Sequence, residues 1–323
     1  MGQDKKKARR RYRPDEPVED TLLRAAWLYY YENRNQNEIA EEFGVSRATV
    51  VNYLQQARER GLVEIRLDSV AFNRQRISVE LCRKYGLQES VVIPGTEVSL
   101  AGVATGAARR LPDLLAPGDI LGVAWGMTIF KLSESLTPRI IDNMTVVQMV
   151  GSMASPYVFA AESCSTNIAH RLGARVANFY APALLSSTEA ARLLKQEPVI
   201  RSQFDLLGRI NKALFAVGSC KDNSHVVESG IASLADLEDY KARGAVGVIC
   251  GRFIDARGEH IVGPLDDRMI GITPDALRGL SVGMLVSNGF DKVAGMHAAM
   301  LGGYVTHLVT DAPTAQALLN FDP

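Results

Sequence analysis

Residues 36–63 read QNEIAEEFGVSRATVVNYLQQARERGLV, and this stretch decides the fold of the N-terminal part of the chain. Apolar residues at helical spacing predict a short helix over residues 36–43. Gly44-Val45 then marks a tight break, and Ser46 is a residue type that caps helices. The helix that follows has three apolar residues at spacings of a helical core face: Val50, Leu54 and Ala57.

An earlier helix is predicted from another apolar stripe, formed by Leu22, Leu23, Ala26, Trp27 and Tyr30. Two helices joined by a short glycine-containing turn are typical of the helix-turn-helix, whose second helix enters the major groove of DNA. The segment Leu62–Leu67 (LVEIRL) predicts a strand, which suits a winged variant with a short wing. We therefore expect an all-α, winged helix-turn-helix domain over residues 19–67.

The outward stripe of the third helix is half polar and half small and apolar, which is unusual for a face that only contacts water. A guanidinium binds guanine, a side-chain amide binds adenine, and small apolar groups contact the thymine methyl. We expect double-stranded operator DNA to be contacted by Gln36, Ser46, Arg47, Thr49, Asn52 and Gln55. A three-helix interaction module without nucleic acid is the alternative.

Charge and cysteine content exclude several classes of protein. Lys+Arg and Asp+Glu both number 36 in the 323 residues, which excludes a protein that holds polyanions by bulk charge. The four cysteines lie far apart and predict reduced thiols in a cytosolic protein with no metal site. No apolar run reaches the roughly 18 residues that span a membrane, and the N-terminus does not resemble a signal peptide.

Residues 1–18 differ from the rest of the chain. They hold seven lysines and arginines among the first 13 positions and two prolines, with almost no apolar residues. Such a segment buries too little surface to offset its ordering entropy, so we predict a disordered basic tail. It either contributes phosphate contacts or serves as a solubilising extension.

The remainder of the chain predicts a second domain. A helical pattern over residues 68–88 predicts a linker helix, and helical stretches then alternate with β-branched runs over residues 89–323. This alternation predicts an α/β domain with a mainly parallel sheet. The predicted strands are Ser90–Ile93, Ile120–Val123, Thr145–Val150, Ala177–Tyr180, Ala213–Val217, Gly244–Cys250, Gly283–Val286 and Val305–Val309, and the predicted helices include Ala101–Leu115, Ser187–Leu194 and Lys292–Leu301.

Loops after three predicted strands are candidate ligand contacts, because open α/β sheets bind ligands at the carboxyl ends of their strands. The first loop carries Gly126 and Thr128. The second begins at Gly151-Ser152 and runs to a hydroxyl-rich segment, residues 163–167, before a predicted helix at Ile168–Leu172. The third carries Lys292 at the start of a helix, an end that favours negative rather than positive charge. Together the loops predict a small polar, anionic ligand.

Other polar residues have simpler interpretations. The five histidines show no metal spacing, and Asp311 is most simply a helix cap. Arg252 and Asp255 either reach the pocket or form a structural ion pair.

These residues together resemble the SorC-type sugar-binding transcriptional regulators from about Leu22 to Leu319. The matching stretches are the helix-turn-helix, residues 118–122 and 124–128, Val146–Gln148 with Gly151, residues 244–247 with Phe253 and Asp255, Lys292, Thr310-Asp311, Ala315 and Leu318-Leu319. The resemblance implies a tetrameric regulator of a carbohydrate-use operon, with a sugar-phosphate isomerase-like domain that binds a phosphorylated sugar. The pocket residues it implies are Gly126, Thr128, Gly151, Ser152, Asn167 and Lys292.

Two positions depart from the family pattern. Val248 stands where an acidic residue is usual, and Asn288-Gly289 replaces the usual Gly-Gly before the lysine. A carboxylate is a strong acceptor for sugar hydroxyls, so its loss indicates a different ligand. A smaller or differently oxidised polyol, or its phosphate, fits this change.

We therefore predict a cytoplasmic DNA-binding regulator, expected to be a repressor, of a carbohydrate or polyol catabolic operon. A small sugar, polyol or sugar phosphate would control operator binding by a homo-oligomer (dimer or tetramer), with no cofactor, metal or catalytic residue. Consecutive Tyr29, Tyr30 and Tyr31 predict either a contact between subunits or simple partial exposure.

Two other functions fit the sequence less well. The alternative is a sugar-phosphate isomerase-like enzyme fused to a DNA-binding domain, but the candidate loops offer no evident carboxylate–histidine pair for proton transfer. There is also no GxxxxGK[ST] phosphate loop. A constitutive DNA-bending protein would leave the sensor-like domain without a purpose.

Overall fold

A computed structural model of the chain describes residues 18–65, 68–153 and 159–322. The chain divides into two compact units between Asp68 and Ser69. Residues 1–17 of the predicted basic tail lie outside the described residues, and Val18 already begins a helix.

The first unit is a bundle of short helices. Helix α1 (Val18–Ala26) continues as a π-helical turn over Trp27–Tyr31, followed by α2 (Gln36–Phe43) and α3 (Arg47–Glu59). Their apolar faces form one core, which includes Leu22, Ala25, Ile39, Phe43, Val50, Leu54 and Ala57. The predicted stripes of α2 and α3 meet in this core. Of the stripe predicted for the first helix only Leu22 and Ala26 are buried, whereas Leu23, Trp27 and Tyr30 are exposed.

The turn between α2 and α3 has the predicted chemistry. Gly44 ends α2 in the left-handed conformation with φ +67°, which a residue without Cβ adopts readily. The Ser46 hydroxyl accepts a hydrogen bond of 3.1 Å from the Thr49 amide and so caps α3. Helix, glycine turn and helix confirm the helix-turn-helix.

The predicted strand over Leu62–Leu67 does not form in residues 62–65, and residues 66–67 lie outside the described part. The amides of Leu62 and Val63 both donate to the Ala57 carbonyl, at 2.9 and 3.2 Å. Both side chains also pack against the helical core. These contacts fix the segment against the end of α3, so residues 62–65 form no wing strand.

The second unit contains a seven-stranded parallel sheet, which confirms the predicted α/β architecture. In spatial order the strands are β1, β10, β9, β5, β2, β3 and β4. Their bounds are β1 Glu89–Ile93, β2 Ile120–Val123, β3 Thr145–Gln148, β4 Arg175–Ala177, β5 Lys212–Phe215, β9 Val282–Val286 and β10 His307–Asp311. Two apolar clusters of buried side chains pack in this unit.

A separate antiparallel sheet contains β6 (Val217–Gly218), β7 (Ala245–Ile249) and β8 (Arg252–Asp255). The predicted strand over Gly244–Cys250 therefore exists, but it lies outside the parallel sheet. The predicted strand at Ala177–Tyr180 lies instead at Arg175–Ala177.

Helices connect these strands. They are α4 (Ser69–Tyr85), α5 (Leu100–Arg110), α6 (Met127–Ser135), α7 (Ala161–Leu172), α8 (Thr188–Gln196), α9 (Pro198–Leu207), α10 (His225–Glu228), α11 (Leu234–Ala242), α12 (Val293–Leu301) and α13 (Ala312–Asn320). Single 3₁₀ turns cover Leu111–Leu114, Asp266–Arg268, Pro274–Leu277 and Phe290–Lys292. No helix in the described ranges is long and apolar enough to cross a membrane.

Helix α4, predicted as a linker, is a packed element of the second unit. Its residues Ile77 and Leu81 are buried in the larger apolar cluster. The Lys84 ammonium donates to the carbonyls of Leu318, Leu319 and Phe321 at 2.8–3.0 Å. A cation at the last carbonyls of a helix is favourable, so Lys84 fixes α4 to the end of α13.

The strand order reverses between β2 and β5. From β2 the chain proceeds outward to β3 and β4, and it then returns to place β5 on the other side of β2. Ligands of open α/β sheets bind at the carboxyl ends of the strands beside such a reversal. The loops that follow β2 and β5 are thus the expected location of a site.

Candidate functional site

A cavity of about 250 Å³ lies at this reversal. Its walls come from the loops that follow β2, β5 and β9, together with the start of α10 and part of the small sheet. Sites for small molecules usually measure roughly 300–1,000 Å³, so this cavity suits a small ligand.

Gly126 and Thr128 line the cavity where α6 begins. Gly126 has φ +116°, a conformation that a side chain disfavours, and its amide donates to the Phe159 carbonyl at 3.1 Å. Thr128 is only 5% exposed, and its hydroxyl makes no hydrogen bond to another described residue. A helix N-terminus presents backbone amides without helical acceptors, which favours an anion.

Lys292 lines the same cavity at the start of α12. Burial lowers the pKa of its ammonium, although Asp291 acts in the opposite direction. No described carboxylate lies within 4.0 Å of the Lys292 nitrogen. A half-buried cation without such a partner is a strong binding group for an anionic ligand.

Aromatic rings line another part of the cavity region. Phe159 stacks between Trp125 and His225, with ring centroids 6.4 and 4.9 Å away, and the latter two residues line the cavity. Burial lowers the pKa of His225, and the Lys292 charge lowers it further against the opposing effect of Glu228. This wall supplies flat apolar contacts beside the charged lysine.

The segment 216–219 and residues 223–226 also line the cavity, and the sequence interpretation missed them. A predicted strand, Ala213–Val217, did precede this segment. What the sequence did not show was that β5 lies beside β2, because strand order depends on contacts between distant residues.

Gly151 and Ser152 do not line this cavity. The Gly151 amide donates to the Ile270 carbonyl, and the Ser152 amide donates to the Ala181 carbonyl. A Cβ at Gly151 would lie 2.6 Å from the Pro182 carbonyl oxygen. This glycine therefore permits a close approach of two backbone segments, and both amides already have acceptors.

Asn167 also lies outside the cavity, in a shallow depression beside Phe130 and Glu162. Helix α7 begins at Ala161, so the hydroxyl-rich segment 163–167 lies inside the helix rather than before it. The Ser165 hydroxyl, for example, donates to the Ala161 carbonyl at 3.0 Å. The predicted helix start after Asn167 is therefore wrong.

Arg252 and Asp255 take structural roles. The Arg252 guanidinium is 4% exposed, pairs with Asp266 and donates to the Ile272 carbonyl. Asp255 accepts hydrogen bonds from the amides of Arg257 and Glu259. Arg252 thus forms a structural ion pair, but with Asp266 rather than with Asp255. No group of three or more potential metal ligands occurs in the part of the chain that the structure describes.

In the first unit, α3 carries the candidate DNA-contacting face. Arg47, Asn52 and Gln55 are exposed on one stripe with Ala48 and Val51. The Arg47 guanidinium donates to the Gln36 side chain at 3.1 Å, which joins α3 to α2.

Two of the predicted DNA contacts also serve the helix itself. Besides its bond to the Thr49 amide, the Ser46 hydroxyl lies 2.8 Å from the Thr49 hydroxyl. Ser46 and Thr49 therefore stabilise the start of the helix that presents the stripe.

A helix-turn-helix unit and a ligand cavity in an α/β unit define the class of ligand-controlled transcriptional regulators. A family model described as "Putative sugar-binding domain" matches residues 69–320. The chain belongs to this family, and specifically to the SorC-type sugar-binding transcriptional regulators.

Relatives that match over nearly their whole length are also named as regulators. The chain is 39% identical over 310 residues to the "Uncharacterized transcriptional regulator YjhU" of Escherichia coli K12, covering 93% of this chain and 94% of the relative. It is 30% identical to the "Deoxyribonucleoside regulator" of Bacillus subtilis 168, covering 95% and 99%. The crystal structure of the full-length sorbitol operon regulator SorC from Klebsiella pneumoniae matches with a TM-score of 0.74 and 27% identity, covering 93% and 99%.

These relatives support a DNA-binding regulator with a sugar effector domain rather than the fused-enzyme alternative.

Proposed function

We propose that this protein is a cytoplasmic repressor of carbohydrate or polyol catabolic genes, released from its operator by a small anionic sugar derivative. The observation that carries the proposal is Lys292, a half-buried cation in the cavity with no described carboxylate within 4.0 Å of its nitrogen. Thr128 and the start of α6 line the same cavity. Cation, hydroxyl and helix N-terminus together favour a phosphate or another anionic group.

The names of the relatives support a sugar-like effector. One relative is named for deoxyribonucleosides and another for a sorbitol operon. Val248 supplies no carboxylate to this cavity, and the carboxylate that lines it belongs to Asp291, beside Lys292. We propose a sugar, polyol or sugar phosphate bound by Gly126, Thr128 and Lys292.

The DNA contacts are assigned to the first unit. We propose that Arg47, Asn52 and Gln55 read bases in the major groove, and that Gln36, Ser46 and Thr49 hold or extend this surface. Proteins of this kind bind two half-sites one or more helical turns apart, which requires a dimer or tetramer. A 100-fold change in operator affinity needs about 2.7 kcal/mol of differential effector affinity.

The test combines DNA binding with effector binding in the full-length protein. Fluorescence anisotropy measures operator affinity while sorbitol, ribose and their phosphates are titrated. Lys292→Met is expected to keep operator affinity and to lose the effector response. Lys221→Met, which removes an exposed lysine outside the cavity, is the matched control. An unchanged effector response in Lys292→Met would contradict the proposed site, and turnover of any phosphate would contradict the regulatory role.

A further inference from the structure

We infer that Ser219 and Ser224 form a second polar subsite, which binds uncharged hydroxyl or carbonyl oxygens of the effector. The inference rests on the proposed function, because it concerns the same cavity. Both residues line that cavity, and each is 6% exposed. They belong to the β5–α10 connection, which is distinct from the loops that carry Thr128 and Lys292.

The Ser224 hydroxyl is the strongest evidence. Its oxygen is buried and has no hydrogen-bond partner in the described structure. Such unpaired buried groups are rare in native proteins, and they are usually satisfied by protein, ordered water or ligand. The Ser219 hydroxyl likewise makes no hydrogen bond to another described residue.

The position of Ser224 makes this absence more informative. It directly precedes α10, a position where serine normally accepts an amide of the first helical turn. Four other serines that precede helices here do accept such an amide, namely Ser46, Ser99, Ser187 and Ser233. Ser224 makes no such bond. Its hydroxyl therefore remains available to a molecule in the cavity.

The surroundings of the two serines select uncharged ligand atoms. Val217, Val226 and Val248 are buried, and they line the cavity together with the serines. Lys292 is the cavity-lining lysine, no arginine lines the cavity in the described part of the chain, and the Asp291 carboxylate lies beside Lys292 rather than in the segment that carries the serines. An anionic group is therefore best held by Lys292 and the start of α6. The hydroxyls of Ser219 and Ser224 can then pair with one or two neutral oxygens while the valines contact alkyl carbons.

This division defines a ligand class. The effector has an anionic group and a carbon body that presents both alkyl carbons and uncharged oxygens.

The experiment compares an anion alone with anions that carry a neutral body. Isothermal titration calorimetry on the full-length protein uses inorganic phosphate, ribose 5-phosphate, 2-deoxyribose 5-phosphate and sorbitol 6-phosphate. Ser224→Ala is expected to lower the affinity for the tightest phosphate ester about fivefold, as fits one lost neutral hydrogen bond. The affinity for inorganic phosphate should stay within twofold of the wild-type value. Ser219→Ala is expected to act in the same direction, and the double variant more strongly.

Ser229→Ala is the matched control, because this serine is equally buried at the other end of α10, lies outside the cavity and donates to the Val226 carbonyl. Ser224→Ala should retain the melting temperature of the unliganded protein, since it removes an unpaired hydroxyl. Equal affinity of wild type and both serine variants for every ester would overturn the inference. The inference would also be overturned if the serine variants lost as much affinity for inorganic phosphate as for the esters. Failure of the wild type to bind any probe at 10 mM would overturn it as well.

Lys292→Met separates the two proposals. This variant is expected to bind inorganic phosphate and the esters more weakly by similar factors. A loss of affinity in Lys292→Met, with unchanged affinity in Ser219→Ala and Ser224→Ala, would reject the serine subsite alone. Unchanged binding in Lys292→Met would reject the proposed anion site instead.

Discussion

The side-chain amide of Asn288 donates a 2.8 Å hydrogen bond to the Asp311 carboxylate, which joins the loop before Lys292 to the start of α13. The same carboxylate accepts the backbone amides of Ser99 at 2.9 Å and Thr314 at 3.0 Å. Burial acts to raise the pKa of Asp311, but the hydrogen bonds from Thr314, Asn288 and Ser99 outweigh it and hold this pKa below its usual range. One buried carboxylate thus positions a wall of the cavity.

Asp311→Ala is expected to destabilise the second unit by about 1–3 kcal/mol, because it removes a helix cap and leaves the buried Asn288 amide without its partner. It should also weaken effector binding, since the loop that carries Lys292 loses its support. Urea unfolding and calorimetry measure the two effects. Asp239→Ala, at an exposed position, is the control. Equal stability of the two variants would contradict the role of Asp311.

The contribution of Asp311 to the free energy of unfolding should depend on pH. Because its folded pKa lies below the unfolded value of about 3.9, the carboxylate contributes its full stability above that value. This contribution is lost as the pH falls through the folded pKa. The difference in unfolding free energy between wild type and Asp311→Ala should therefore shrink below about pH 4. Urea titrations from pH 7 to pH 3 test the trend, and a difference that grows towards low pH would contradict it.

The buried Arg252–Asp266 ion pair gives a second prediction. Asp266 also contacts the His260 ring at 2.7 Å and accepts the Gly263 amide at 2.7 Å. Burial acts to raise the pKa of Asp266, but His260, Gly263 and Arg252 outweigh it and lower this pKa strongly. Asp266→Ala should cost about 3–5 kcal/mol, because it leaves the Arg252 charge buried and unpaired.

The double variant Arg252→Met/Asp266→Leu should be more stable than Asp266→Ala alone, since it removes both charges. Thermal and urea unfolding of the two variants measure this order. A double variant less stable than Asp266→Ala would show that the cost does not come from the uncompensated guanidinium. Neither residue lines the effector cavity, so the effector affinity of the folded double variant should match that of the wild type.

The exposed stripe of α3 gives a third prediction. Arg47→Ala and Asn52→Ala should each cost about 1–3 kcal/mol in operator affinity and relax preference at one base pair. Arg83→Ala removes the same charge as Arg47→Ala from an exposed site in the second unit and is the control. Anisotropy titrations against operator and single-base variants measure both effects. Unchanged affinity in Arg47→Ala and Asn52→Ala would assign base reading to another surface.

Local signals explain which elements were predictable. Gly44, Ser46 and the apolar spacing of α3 act over a few residues, so the helix-turn-helix follows from the sequence alone. Thr128 and Lys292 were found because each lies a few residues after an apolar strand. Ser219 and Ser224 were missed because their place in the cavity depends on strand order, which long-range packing decides.

The wrong predictions also have physical explanations. Hydroxyl residues are common before helices, so the run at 163–167 suggested a helix start that lies in fact at Ala161. Gly151 suggested an anion-binding loop, whereas the close backbone approach of Pro182 requires the glycine. The apolar run at Leu62 and Val63 resembled a strand, but both amides donate to the Ala57 carbonyl near the end of α3.

Exposed aromatic residues on the first unit support the predicted self-association. The rings of Trp27 and Tyr31 stack with centroids 4.0 Å apart, yet these residues are 52% and 69% exposed. Leu23 and Tyr30 are also large and exposed. Contiguous exposed apolar groups usually mark interaction sites. A second copy of the same face suits a symmetric dimer, because an isologous interface pairs identical patches.

Trp27→Ser/Tyr31→Ser should therefore raise the dissociation constant of the oligomer at least tenfold, while the helical core of the first unit stays intact because neither ring belongs to it. Sedimentation velocity across protein concentrations measures association, and circular dichroism measures the fold. Tyr180→Ser, at a residue 79% exposed in the second unit, is the control. Because dimeric helix-turn-helix proteins bind two spaced half-sites, the aromatic variant should also lose affinity for a full operator more than for a half-site. Unchanged sedimentation would show that these rings are simply exposed, and that subunits meet through another surface.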